Sequence, residues 1–100
     1  MNWLRKILRR SEADRPPYYD PAKFKNGSIV RVGSRAQLEE FLHTWEYHHK
    51  LQPEQLSYGG RITKVTWSGM YHGGDVVYQL EGVPGIWHEQ LLAPAQREDA

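Results

Sequence analysis

Three short β-branched runs, each set off by glycine, limit what this chain can fold into. Ser28-Ile29-Val30-Arg31-Val32 follows Gly27, Arg61-Ile62-Thr63-Lys64-Val65-Thr66-Trp67 follows Gly59-Gly60, and residues 75–81 follow Gly73-Gly74. Branched and aromatic side chains suit a pleated, half-buried surface, and glycine supplies the positive φ that tight reversals need. In the third run Val76, Tyr78 and Leu80 alternate with Val77, Gln79 and Glu81, the period of a strand with one buried face. The intervening Ser68-Gly69-Met70-Tyr71-His72-Gly73-Gly74 is too long for a two-residue hairpin and is read as a loop. Gly82-Val83-Pro84-Gly85 is read as a turn, Ile86-Trp87-His88-Glu89 as a fourth strand, and Gln90-Leu91-Leu92-Ala93-Pro94 as a tight turn and brief fifth strand. The expected class is mainly β.

One helix interrupts this pattern. Ser34 stands three residues before Gln37, the capping-box spacing in which each side chain serves the other residue's backbone N–H. Leu38, Phe41, Leu42, Trp45 and His49 then recur at helical spacing and predict one core-facing stripe. His48, His49 and Lys50 complement the negative end of the helix dipole, and Pro53 closes the segment.

The chain of 100 residues suits one domain with tails. With 39% hydrophobic residues it can bury a modest core. It has no cysteine, which excludes disulfides, thiolate chemistry and thiolate zinc sites. No run approaches the roughly 18 apolar residues of a membrane span, and the start lacks the apolar region of a secretory signal, so a cytoplasmic location is expected. Residues 1–22 carry a net charge of +2, residues 23–94 carry seven charges of each sign, and the last six residues carry −1. A neutral body argues against a general nucleic-acid surface, because phosphate neutralisation drives such binding.

The expected organisation is an amphipathic segment at 1–10, a proline-containing linker at 11–23, the domain at 24–94 and a tail at 95–100. Wound as a helix, Trp3, Leu4, Ile7 and Leu8 share one face and Arg5, Lys6, Arg9 and Arg10 the other. So short a helix needs a surface to fold against. Through residues 3–10 an anionic membrane is one such surface, which would make the protein membrane-peripheral. Pro16-Pro17-Tyr18-Tyr19 matches the Pro-Pro-x-Tyr ligand of WW domains, and is read chiefly as a rigid spacer.

Short strands, one inserted helix after the first strand and a glycine turn before the last strands suggest a small closed barrel. The pattern resembles the SH3-like barrel superfold, including the nitrile hydratase β-subunit-like and KOW domains. Phe24-Lys25-Asn26-Gly27-Ser28-Ile29-Val30-Arg31-Val32 is similar to the opening strand of such barrels, and Gly60-Arg61-Ile62-Thr63-Lys64-Val65 to a KOW core. The resemblance implies five strands over residues 24–94. The Ala-Leu-Tyr-Asp-Tyr element and Trp-Trp pair of peptide-binding SH3 domains do not occur, so proline-rich ligands are not expected.

Five histidines raise the question of a metal, yet their spacing does not assemble one: on a helix His43 and His48 lie about 140° apart. In a strand His88 and Glu89 point to opposite faces and share no catalytic task, with His88 packed against the barrel and Glu89 solvated. No catalytic residue, metal or cofactor is expected. The candidate binding residues are Trp67, Tyr71, His72, Trp87 and His88, with Tyr58, because aromatic groups at strand margins anchor partners. Packing of a small core competes for some of them. The expected function is a non-catalytic protein-interaction or accessory module with a protein partner. A nucleic-acid-binding KOW-like barrel is the alternative, suggested by Lys23, Lys25, Arg31, Arg61 and Lys64, and an accessory subunit or domain of a multi-subunit enzyme is a third reading.

Overall fold

The computed structural model describes residues 22–71 and 74–96. The expected amphipathic segment, the proline motif, His72 and the last four residues of the tail lie outside them. Five antiparallel strands, β1 (Ile29–Val32), β2 (Ile62–Tyr71), β3 (Asp75–Leu80), β4 (Val83–His88) and β5 (Leu92–Pro94), form one sheet in the order β4-β3-β2-β1-β5. One helix, α1 (Arg35–Thr44), joins the first two strands.

The long β2 serves two halves of the sheet. Its first residues pair with β1, Lys64 opposite Ile29 and Ile62 opposite Arg31, and the rest pairs with β3 from Val65 opposite Leu80 to Tyr71 opposite Asp75. The register shifts between Val65 and Trp67, an irregularity of the kind that bends a strand and lets ten residues turn from one half to the other. β4 and β5 are the edges, and each carries a proline, Pro84 and Pro94. Proline has no N–H to give a ladder, so an edge is where it fits. Within the sheet Val30, Val32, Val65, Tyr78, Val83 and Trp87 are buried, joined by Leu38 and Phe41 from α1 and by Phe24, Leu51, Leu91 and Leu92.

The α1 start follows the sequence pattern. Ser34 Oγ accepts from the Gln37 N–H at 3.2 Å, and Gln37 Oε1 accepts from the Ser34 N–H at 2.9 Å. The helix is shorter than its apolar stripe, because it ends at Thr44 and Trp45 is already extended. The Trp45 N–H closes the last turn on Phe41 O, and its indole Nε1 donates to His48 O at 2.7 Å. That bond, with His49 at φ 50°, holds residues 45–49 as a folded-back segment instead of another helical turn.

Three further readings are corrected. Residues 68–71 are not a loop but continue β2, pairing with β3 as far as Tyr71 opposite Asp75. The turn into β4 is only Glu81-Gly82, with Gly82 at φ 69°, while Val83, Pro84 and Gly85 belong to the strand. Pro53 opens a 3-10 turn, Pro53–Tyr58, and a second 3-10 turn, Glu89–Leu91, leads into β5. The buried Gln55 ties the first of these to β4, donating through Nε2 to Ile86 O at 3.1 Å. Among the described residues no helix is long and apolar enough to cross a membrane.

Candidate functional site

Alternation along β2 sends Trp67, Gly69 and Tyr71 to one face. Gly69 has no side chain to stand in the way, so the Trp67 indole lies along the strand over it. A Cβ built on Gly69 would fall 2.5 and 2.7 Å from Trp67 Cη2 and Cζ2. The indole nevertheless remains 44% exposed, presenting a broad apolar surface to solvent. Tyr71, two residues beyond Gly69, is stacked on the imidazole of His48 at 3.9 Å between ring centroids, with 22° between planes. Met70 projects from the other face and is exposed.

The segment after α1 completes this end of the molecule. Trp45 stacks on Phe41 at 5.1 Å, meets Tyr47 edge-on at 5.1 Å and lies 4.8 Å from the ring of His88. Tyr47 is exposed. His48 Nε2 comes within 3.2 Å of Asp75 Oδ2, at ion-pair distance. This buried nitrogen nevertheless has no hydrogen-bond partner among the described residues. The attraction to Asp75 therefore depends on His48 carrying a proton.

His88 lies beneath this segment with 2% of its surface exposed. Its Nε2 is 3.0 Å from His49 O, and because a carbonyl only accepts, that nitrogen is the protonated one. Burial lowers the His88 pKa from its ordinary value; the His49 carbonyl opposes the shift, and the neighbouring His48 and His49 imidazoles add to it.

Compared with known families, curated proteins and solved structures, the chain matches none of them. What the surface can do thus rests on its own residues.

The expected site residues fall into two environments. Trp67 and Tyr71 share the exposed face, and His88 is linked to it from below through His48. Trp87 is wholly enclosed, opposite Tyr78 in the register, and its Nε1 donates to Pro84 O at 3.2 Å. It fills the core. Tyr58 is half-buried against the core, with the Arg61 guanidinium 5.0 Å over its ring. His88 and Glu89 diverge, but Glu89 is not simply solvated: its Oε2 accepts from Tyr78 OH at 2.5 Å and from the Lys23 N–H at 2.9 Å.

Trp45, Tyr47, His48, His49 and Met70 belong to the surface and were not among the expected site residues. The local signal for the first four is the density of rings over residues 45–49, and Met70 has none. Among the described residues no group of three His, Asp or Glu side chains is placed to hold a metal ion. A groove of about 380 Å³ lies at the start of α1, lined by Arg31, Ser34, Gln37 and Leu91 among others. There the Ser34 and Gln37 side chains are committed to each other's backbone.

Proposed function

We propose that this domain is a non-catalytic protein-interaction module that engages a protein partner through the β2–β3 hairpin, with Trp67, Met70 and Tyr71 as anchors and Tyr47 at their margin. One observation carries the reading. All four large hydrophobic side chains that the described residues leave exposed, Tyr47, Trp67, Met70 and Tyr71, lie on this hairpin or on the segment packed against it. Aromatic residues and methionine are enriched where proteins meet, and truncating a central tryptophan removes a large share of binding energy. The charges of residues 23–94 cancel, which favours an apolar protein contact over a phosphate backbone.

The finer architecture goes with this proposal. A five-stranded sheet in the order β4-β3-β2-β1-β5, a β2 with a register shift common to both halves and a 3-10 turn before the last strand support an SH3-like barrel, the scaffold that the sequence pattern resembles.

The test is affinity capture from the native cell with the full chain and with Trp67→Ser. The expected result is a protein retained by the parent chain and lost with Trp67→Ser at an unchanged melting temperature. Equal retention by both chains would refute the hairpin as the contact. Tight binding of single-stranded RNA or DNA that falls steeply with salt would replace the reading with the nucleic-acid alternative.

A further inference from the structure

Three imidazoles from two distant parts of the chain meet behind the exposed hairpin. His48 and His49 come from the segment after α1 and His88 from the end of β4, with ring centroids 5.4, 5.5 and 6.4 Å apart. The charged and titratable groups that face them are few. β3 contributes Asp75, 3.2 Å from His48, and β2 contributes the Tyr71 phenol stacked on it. His72 lies outside the described residues.

This cluster fastens the segment in two ways. The His88 ring holds the His49 carbonyl, and the His48 ring is clasped between Tyr71, Trp45 and Asp75. We propose that residues 45–49 form an acid-released latch over His88, which lifts from the hairpin when His88 takes up a proton and thereby changes the surface that Tyr71 and Tyr47 present.

The direction follows from the surroundings of His88. Its imidazolium would be buried, beside two other imidazoles, with one exposed carboxylate to offset it. A cation in that position is relieved most simply by opening the segment above it, since residues 45–49 have no ladder hydrogen bonds to break. The closed form disfavours the proton, so closure is stable above the ordinary histidine value near 6.5 and weakens as pH falls below it. Where the open form binds one more proton, the opening constant rises up to about tenfold per pH unit. Asp75 works against release, because its charge favours protonated His88 in the closed form.

The latch is the regulation of the hairpin surface and takes its biological meaning from the reading of that surface as a binding face. The test below contains no partner, so latch and binding face stand or fall separately. Amide hydrogen exchange of the full chain between pH 7.5 and 5.5, expressed as protection factors corrected for intrinsic exchange, reads the opening directly. Protection of the Trp45 amide, which donates to Phe41 O at the root of the segment, is expected to drop about tenfold or more while β1, β2 and β3 amides keep theirs. His88→Gln retains a donor for His49 O without titrating, and should flatten this dependence. Asp75→Asn, at an exposed position, should make opening begin at higher pH. Protection that stays constant in the parent chain, a loss shared equally by the strands, or an Asp75→Asn profile identical to the parent would each overturn the latch.

Discussion

Replacing Tyr78 by phenylalanine tests how the start of the domain is fixed to its core. Tyr78 is wholly buried in β3, and its hydroxyl accepts from the Phe24 N–H at 3.1 Å while donating to Glu89 Oε2 at 2.5 Å. The same carboxylate oxygen accepts from the Lys23 N–H, so one hydroxyl and one carboxylate hold two successive backbone donors. Removing the hydroxyl leaves the Phe24 N–H buried and unpaired, which costs about 1–3 kcal/mol. Losing the bond to Glu89 adds about 1 kcal/mol, at the low end because that carboxylate is half-exposed and keeps Lys23. The ring itself, edge-on to Phe24 at 5.7 Å, is retained. Urea denaturation of the full chain should therefore show Tyr78→Phe less stable by about 2–4 kcal/mol with an unchanged m-value.

The same hydroxyl has an alkaline signature. Burial, and then the bond to Glu89, push the Tyr78 pKa up to about 12. A raised value means the fold favours the neutral phenol. That contribution is complete below the ordinary value of 10 and is lost as pH rises from there towards about 12. The stability difference between parent and Tyr78→Phe should thus shrink across that window. A difference below about 0.5 kcal/mol at neutral pH, or one that grows with alkali, would refute this account of the clamp.

Two further substitutions probe the local devices. Ser34→Ala should lower stability by about 0.5–2 kcal/mol by removing the α1 cap, measured by chemical denaturation; no change would mean the cap is dispensable. Gly85→Ala should cost about 1–3 kcal/mol in thermal or urea unfolding, because the residue sits at φ 99° and a Cβ would fall 2.6 Å from Gln55 Nε2.

The start of α1 was legible because a capping box is written within four residues. Its end was not. Leu38, Phe41 and Trp45 keep helical spacing, while the bond that turns the chain away, Trp45 Nε1 to His48 O, exists only once the segment has folded back. Ser68-Gly69 has the composition of a loop and hides the last four residues of β2, whereas Gly69 is the position that lets the Trp67 indole lie along the strand. Val83-Pro84-Gly85 looked like a turn, and is tolerated in a strand because β4 is an edge. Separating Trp67 from Trp87 required the register that sets Trp87 opposite Tyr78 in the core. The histidine cluster was illegible for a simpler reason, since His48 and His88 are 40 positions apart and neither carries a motif.

The central claim, that the hairpin is the partner-binding face, is tested most directly by photo-cross-linking in the native cell. A benzophenone-bearing residue is placed at position 70, on the same strand as Trp67, and for comparison at position 39 on the exposed side of α1. A discrete protein adduct is predicted from position 70, absent from position 39 and abolished when Trp67→Ser is added to a chain of unchanged melting temperature. Identical adducts from both positions, or an adduct at position 70 that survives Trp67→Ser, would contradict it.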